Sequence, residues 1–393
     1  MNPRVEALVS SGRLHPMRPL DEPLSLQRRD AIAHAGEVIV EAVASLLPEA
    51  RPVHLEIFDG LLDLIQLELS RGERLGFTRL DVACPIDRPE DFQLLEVQAG
   101  DPSAMGWSDA LAEAFEVPPT LMEAHRAAYE ARTPGRRIAF AVLKDSIVES
   151  DHRLLAEHYR RHGWQAQVVD PSAFRFDGER LFACESLVDA VFRDALDELL
   201  LGERRSGGKA VMDSVRAGKV TLMNPFCAAL ADDKSLLEPL STPSRWKGEV
   251  AQVLARHVPC TRLVSERRAD WEGAEVDLVP FIRAERERLV LKPIDGYGGF
   301  DVALGAFASE AEWNAAVDKA CLRPGRYVVQ RYHPLPRQTV TLPGGVRSDA
   351  WVVHSLWFAP KLVGAFARAS QNPIVNVHQG GGLTPVQFQS PFS

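Results

Sequence analysis

The chain has little cysteine. Five residues, Cys84, Cys184, Cys227, Cys260 and Cys321, are scattered over 393 positions with no CxxC pair. That spacing argues against a disulfide framework or a zinc site and predicts reduced thiols, as in a cytoplasmic protein. There is no excess of positive charge either: 45 Lys and Arg face 54 Asp and Glu, a net charge of −9. A nucleic-acid-binding surface spread over the whole molecule is not expected, whereas a local basic pocket for phosphate stays possible. No apolar run has the length of a bilayer span, so no membrane association is expected. The first residues, "MNPRVEALVSSGRLHPM", lack the basic-then-apolar layout of a secretion signal. Internal repeats and low-complexity tracts are missing as well.

The remainder has ordinary globular composition, with 46% hydrophobic and 25% charged residues. Its length exceeds that of one usual core, and about three lobes are expected. Apolar residues at helical spacing predict helices over 24–47 and 58–72. Two short extended pieces follow, "TRLDVA" and "FQLLEVQ", then a helix at "WSDALAEAFE". After the linker "TPGRR" the pattern becomes strand, helix, strand ("RIAFAVLKD", "ESDHRLLAEHYRRHG", "WQAQVVDP"), which predicts a small parallel α/β unit. A hairpin with an Asp-Gly turn ("RFDGERLF") and one further strand ("LVDAVFR") belong to it. A helix around "LADDKSLLEPL" opens the last region, where long strands run to the C-terminus and Ser309 with Glu312 forms a capping box. The expected units are 1–134, 135–217 and 218–393, an α/β fold of mixed and antiparallel sheets with a small parallel α/β domain preceding the last unit.

The stretch "VLKPIDGYGGFDVALG" carries the strongest chemical signal. Lys292 ends a strand, and Gly296, Gly298 and Gly299 follow with Tyr297 among them. Glycines let backbone N–H groups turn toward an anion, and the lysine adds a point charge. The order is not that of a P-loop or a dinucleotide fingerprint, because the lysine comes first and a strand follows. A glycine-rich hairpin with a surface lysine is the plain structural alternative.

The surroundings of this loop resemble the ATP-grasp ligases. The resemblance implies ATP as co-substrate, with the loop 295–299, including Asp295, folded over its phosphates. It implies that "YVVQRY", with Gln330, leads to the adenine pocket, and that Lys234 in "ADDK" joins Lys292 on the phosphates. Arg368 and Asn376 in "GAFARASQNPIVN" take the places of a phosphate-directed arginine and asparagine. The family's metal strands normally come after the glycine loop, yet no Glu-x-Asn occurs there. "TRLDV" and "LLEVQ", near the front, offer Arg79, Asp81, Glu96 and Gln98 instead. That order resembles the circularly permuted ATP-grasp group, which includes the synthetase half of glutathionylspermidine synthetase. It implies magnesium on Asp81, Glu96 and Gln98, with Arg79 stabilising the transition state. Gln98 departs from the family's asparagine by one methylene.

The residues allow a geometric check on this reading. In a hairpin with Asp81 opposite Glu96, Arg79 lies opposite Gln98 and all four share one face. Facing carboxylates repel unless a cation sits between them, and magnesium takes carboxylate oxygens. A surface salt-bridge cluster around Arg79 is the alternative. The implied activity is ATP-dependent ligation of a small carboxylic acid to an amine, the partners being amino-acid, peptide or polyamine-like. A phosphotransferase or a non-catalytic nucleotide-binding protein are the other readings. His158 and His162 share a helix face but have no third ligand in the sequence, so a solvated basic helix end is expected. Cys227 reads as a small buried residue, and Trp107, Trp351 and Trp357 as core. His378 could touch substrate or lie in a plain loop.

Overall fold

The two front strands, Thr78–Ala83 and Gln93–Gln98, pair with each other and then join the end of the chain. Thr78–Ala83 runs antiparallel to Arg347–Phe358, giving a sheet in the order Gly382–Pro385, Leu362–Ser370, Arg347–Phe358, Thr78–Ala83, Gln93–Gln98. The first half of the long strand Arg347–Phe358 pairs instead with Arg337–Thr341. The structure, a computed structural model, describes residues 25–50, 53–194, 196–296, 298–341, 347–376 and 381–387.

Alternation divides this sheet into two faces. Leu80, Val82, Leu94, Val97, Leu356 and Phe358 enter a core shared with the helix Leu26–Leu46. That helix packs so closely that a Cβ on Gly36 would lie 2.1 Å from the Phe358 ring, a position only glycine fills without displacement. Contrary to the sequence expectation, the helical segment Leu26–Glu49 is long and apolar enough to cross a membrane by length and composition. Half of its apolar window is buried inside the molecule, with Ile32, Ile39 and Val43 fully enclosed, so its apolar stripe is used in the core.

The expected parallel unit is present as the sheet Gln165–Val169, Arg137–Ala141, Ala190–Arg193, Thr221–Leu222. Helix Glu149–Arg161 makes the crossover between the first two strands in the chain. The single strand expected over 187–193 is in fact two, Ser186–Val188 in the Asp-Gly hairpin sheet and Ala190–Arg193 in the parallel sheet. Asp189 sits at the break and accepts from Arg137 through its backbone N–H (3.1 Å) and its guanidinium (2.5 and 2.8 Å).

A third sheet, Thr261–Leu263, Tyr327–Arg331, Leu289–Pro293, Ala303–Leu304, is antiparallel and carries the lysine strand at its middle. Helix Glu310–Cys321 packs on it behind the expected capping box of Ser309 and Glu312. The helix expected around 230–240 is mostly absent. Residues Phe226–Asp232 and Lys234–Leu236 form 3-10 turns, and only Leu237–Leu240 is α-helical. Asp232 and Asp233 explain the break. Asp232 turns its carboxylate to the N–H groups of Ala99 and Gly100 (2.6 and 3.0 Å), and Asp233 caps Ser235 (2.8 Å).

Candidate active site

The polar face of the central sheet holds the front-strand residues in the expected register. Asp81 lies opposite Glu96 and Arg79 opposite Gln98. On its other side Asp81 faces Ser355. Arg79 donates to both Asp81 oxygens (3.0 and 3.1 Å) and to the Ser103 carbonyl (2.9 Å). Its guanidinium lies 5.8 and 5.9 Å from the ring centres of Trp357 and Phe366. Arg368 reaches the same carboxylate at 2.6 Å, and the Ser355 hydroxyl donates to it at 2.7 Å. Burial opposes the charge on Asp81, but the Arg368 and Arg79 guanidiniums and the Ser355 hydroxyl outweigh it. They hold the carboxyl well below the usual range.

Across from this cluster stand two lysines. Lys292, mid-sheet and 9% exposed, donates to the Leu95 carbonyl (2.9 Å) and to Gln330 Oε1 (2.7 Å). Gln330 is held in turn by Thr261, its amide donating at 3.1 Å. Lys234 donates to the Gly296 carbonyl (2.6 Å) and lies 3.3 Å from Glu96. Its own N–H donates to the Ile294 carbonyl (2.9 Å), so the broken helix is stitched to the glycine loop. Burial pushes the Lys292 ammonium down to about 8; Lys234 adds to that effect, while Glu96 and Asp81 oppose it. Gly298 and Gly299 have φ of 68° and 73°, a left-handed backbone that needs glycine.

Two cavities meet here. The smaller, about 120 Å³, runs from Lys292, Lys234, Glu96 and Asp81 between the apolar walls Val290 and Leu335. The larger, about 380 Å³, is lined by Arg79, Gln98, Asp101, Trp107, Arg193 and Asp232 among others. Lys234, Gly296, Arg368 and Asn376 belong to both and mark the junction. The donor set at the hairpin, two carboxylates and an amide oxygen, suits a hard cation such as magnesium in kind. Glu96 opens on the smaller cavity, with Gln98 donating to it at 3.0 Å. Asp81 can serve a cation only when Arg368 turns away, because both of its oxygens are already engaged. Gln98 itself lines the larger cavity, apart from the other two.

Not every sequence candidate converges in the same way. Asp295 lines the larger cavity but pairs with Arg326 at 2.6 Å, so it ties the glycine turn to the lysine sheet. Tyr297 and His378 lie outside the described residues. His158 and His162 gain a third potential ligand that the sequence did not suggest, Glu123 on the neighbouring helix (3.1 and 3.9 Å). Both Glu123 oxygens already accept from Arg126 (3.0 and 2.6 Å), which disfavours a cation there. Trp357 and Cys227 are buried as expected; Trp107 is buried too, yet forms part of the larger cavity's wall. Sequence reasoning missed Ser355, Asp232, Asp101 and Arg193. Only the "ADD" before Lys234 pointed toward one of them.

No protein-family model matches the chain. A Frankia alni protein provisionally named glutamate–cysteine ligase 2-3 is 26% identical over 286 residues, 68% of this chain and 31% of that protein. An uncharacterised Mycobacterium tuberculosis protein is 24% identical over 224 residues, 53% of this chain and 38% of its own length. The chain thus spans 31 to 38% of the length of these curated relatives. Among solved structures, a glutathione synthetase-like effector from Globodera pallida superposes with a TM-score of 0.56 at 11% identity. The match covers 98% of this chain and 96% of that one, so the two share a mixed α/β fold.

Proposed function

We propose that the protein is an ATP-dependent carboxylate–amine ligase of the circularly permuted ATP-grasp type. One observation carries the reading. The front hairpin brings Asp81 and Glu96 into the C-terminal sheet, facing Lys234 and Lys292, at the place where two cavities join. A phosphate chain needs cations, and an acyl transfer needs a second chamber beside it. The ligase name of the Frankia alni relative and the glutathione synthetase-like fold agree with this assignment.

In this reading the smaller cavity takes ATP, its adenine toward Gln330 and its phosphates toward Lys234, Lys292 and the loop 295–299. Arg368 exchanges Asp81 for a phosphate oxygen, and Asn376 lines the junction beside it. Magnesium would be held by Asp81 and Glu96, and by Gln98 once its amide, which donates to Glu96 and borders the larger cavity, turns its oxygen toward them. It would neutralise charge on the phosphates. A substrate carboxylate in the larger cavity takes the γ-phosphoryl group and becomes an acyl phosphate. An amine then displaces phosphate, leaving an amide, ADP and phosphate. Arg79, anchored by Ser103 and Trp357, stabilises the oxyanion that forms on the way.

The test is ADP release across pairs of small acids and amines, with mass spectrometry of the product. Amide formation that requires both partners is the expected result. ADP release with a stable phosphorylated product and no amine dependence would assign a phosphotransferase instead.

A further inference from the structure

The larger cavity has a charge that the reaction above does not use. Arg193 ends the strand Ala190–Arg193 at the cavity wall and is 1% exposed. Its Nη1 donates to the Asp194 carbonyl at 3.2 Å, and the guanidinium lies 5.3 Å from the Phe226 ring centre. Nε and Nη2 are buried with no hydrogen-bond partner. Among the described residues, no carboxylate lies within ion-pair distance of it. The nearby acids are committed elsewhere: Glu68 accepts from the Phe226 and Cys227 N–H groups, and Asp232 from Ala99 and Gly100. A buried cation with no ion pair is costly for a fold, even with the charges of Glu68 and Asp232 in range, and an anion with two oxygens would satisfy both open N–H positions.

We propose that Arg193 binds a carboxylate of an amino-acid substrate in the larger cavity, as a handle that sets which molecule enters. The assignment rests on the ligase reading for its place in a reaction, though binding can be measured without it. Arg193 lines the larger cavity and not the smaller one, which takes the phosphates, so the group it holds is positioned and not activated. Asp101 and Asp232 line the same cavity, and burial together with the charge of Asp101 pushes the Asp232 carboxyl up to about 7, a cost that a nearby ammonium would offset. A zwitterion with both groups matches that wall better than a simple acid or a simple amine.

The full chain is titrated with the common L-amino acids and with their α-carboxamides, following thermal midpoint with and without Mg·ADP. The expected result is that at least one L-amino acid stabilises the protein and binds at least tenfold more tightly than its carboxamide. In Arg193→Gln that preference falls below threefold, while Arg193→Lys retains part of it. Both variants keep Mg·ADP affinity within threefold, as a merely structural loss would not. The proposal is overturned if no L-amino acid binds the wild-type chain, if the preference survives in Arg193→Gln, or if both variants lose nucleotide and amino acid together. Should the wild-type chain fail to bind Mg·ADP while the Arg193 effect holds, the ligase reading fails and this site stands.

Discussion

The two sides of the site bury charge in different ways. On the hairpin side, Asp81 is 1% exposed and is satisfied by ions, with Arg79 and Arg368 on its two oxygens. On the loop side, the lysines are satisfied mainly by neutral oxygens, the carbonyls of Leu95 and Gly296 and the amide of Gln330. An ion-paired carboxylate is held ionised, whereas burial makes the Lys292 ammonium easier to deprotonate. The hairpin side is therefore an electrostatic lock that opens only when Arg368 leaves Asp81. The loop side is the easier one to exchange, since a phosphate oxygen can replace a carbonyl at an ammonium with a gain in charge pairing.

Four changes would break or sharpen that contrast. The largest effect is expected from Asp81→Asn, which leaves two buried guanidiniums without their counter-charge. Loss of one partner of such a cluster costs about 3–5 kcal/mol, read as a lowered denaturant midpoint. Pairing it with Arg368→Gln should recover part of the loss, and no recovery would mean that the lock is not electrostatic. Next comes Lys292→Ala, which removes charge-assisted contacts worth about 1.5–3 kcal/mol each and should weaken Mg·ADP at least tenfold by calorimetry. Unchanged affinity would place the phosphates elsewhere.

The third prediction concerns pH. Lys292 has its folded pKa lowered to about 8 from an ordinary 10.5. Between those values the unfolded chain binds the extra proton, so this group's contribution to stability rises with pH across that window. Phosphate binding runs the other way: Mg·ADP affinity should fall as pH rises above about 8, because the free site loses its positive charge. A flat profile from pH 7 to 9 would remove Lys292 from the phosphates. Smallest of all is Gln98→Asn. It shortens the arm that reaches Glu96, a contact worth about 1 kcal/mol, and should shift the magnesium dependence of ADP binding by less than tenfold.

The contrast also shows what a sequence can reveal. The face shared by Arg79, Asp81, Glu96 and Gln98 was legible because strand side chains repeat every second residue, and the paired polar positions fix the register. Lys292 and its glycines were legible as a local pattern. Arg368 was placed on phosphate; that it clasps Asp81, from the other end of the chain, was not visible. Ser355 and Arg193 were hidden for the same reason, since each gains its meaning only from strands distant in sequence. The region around Lys234 misled in another way. Its composition favours a helix, yet Asp232 and Asp233 spend their carboxylates on backbone N–H groups and break it into short turns.

The central sheet has a consequence for how the chain is made. Thr78–Ala83 emerges from the ribosome hundreds of residues before its partner Arg347–Phe358. Until then that strand has an open edge, and closing it requires a long loop, which slows folding and exposes a template for association. Nascent chains stalled before the last strands should therefore expose this edge and engage chaperones until the C-terminal strands arrive to close the sheet.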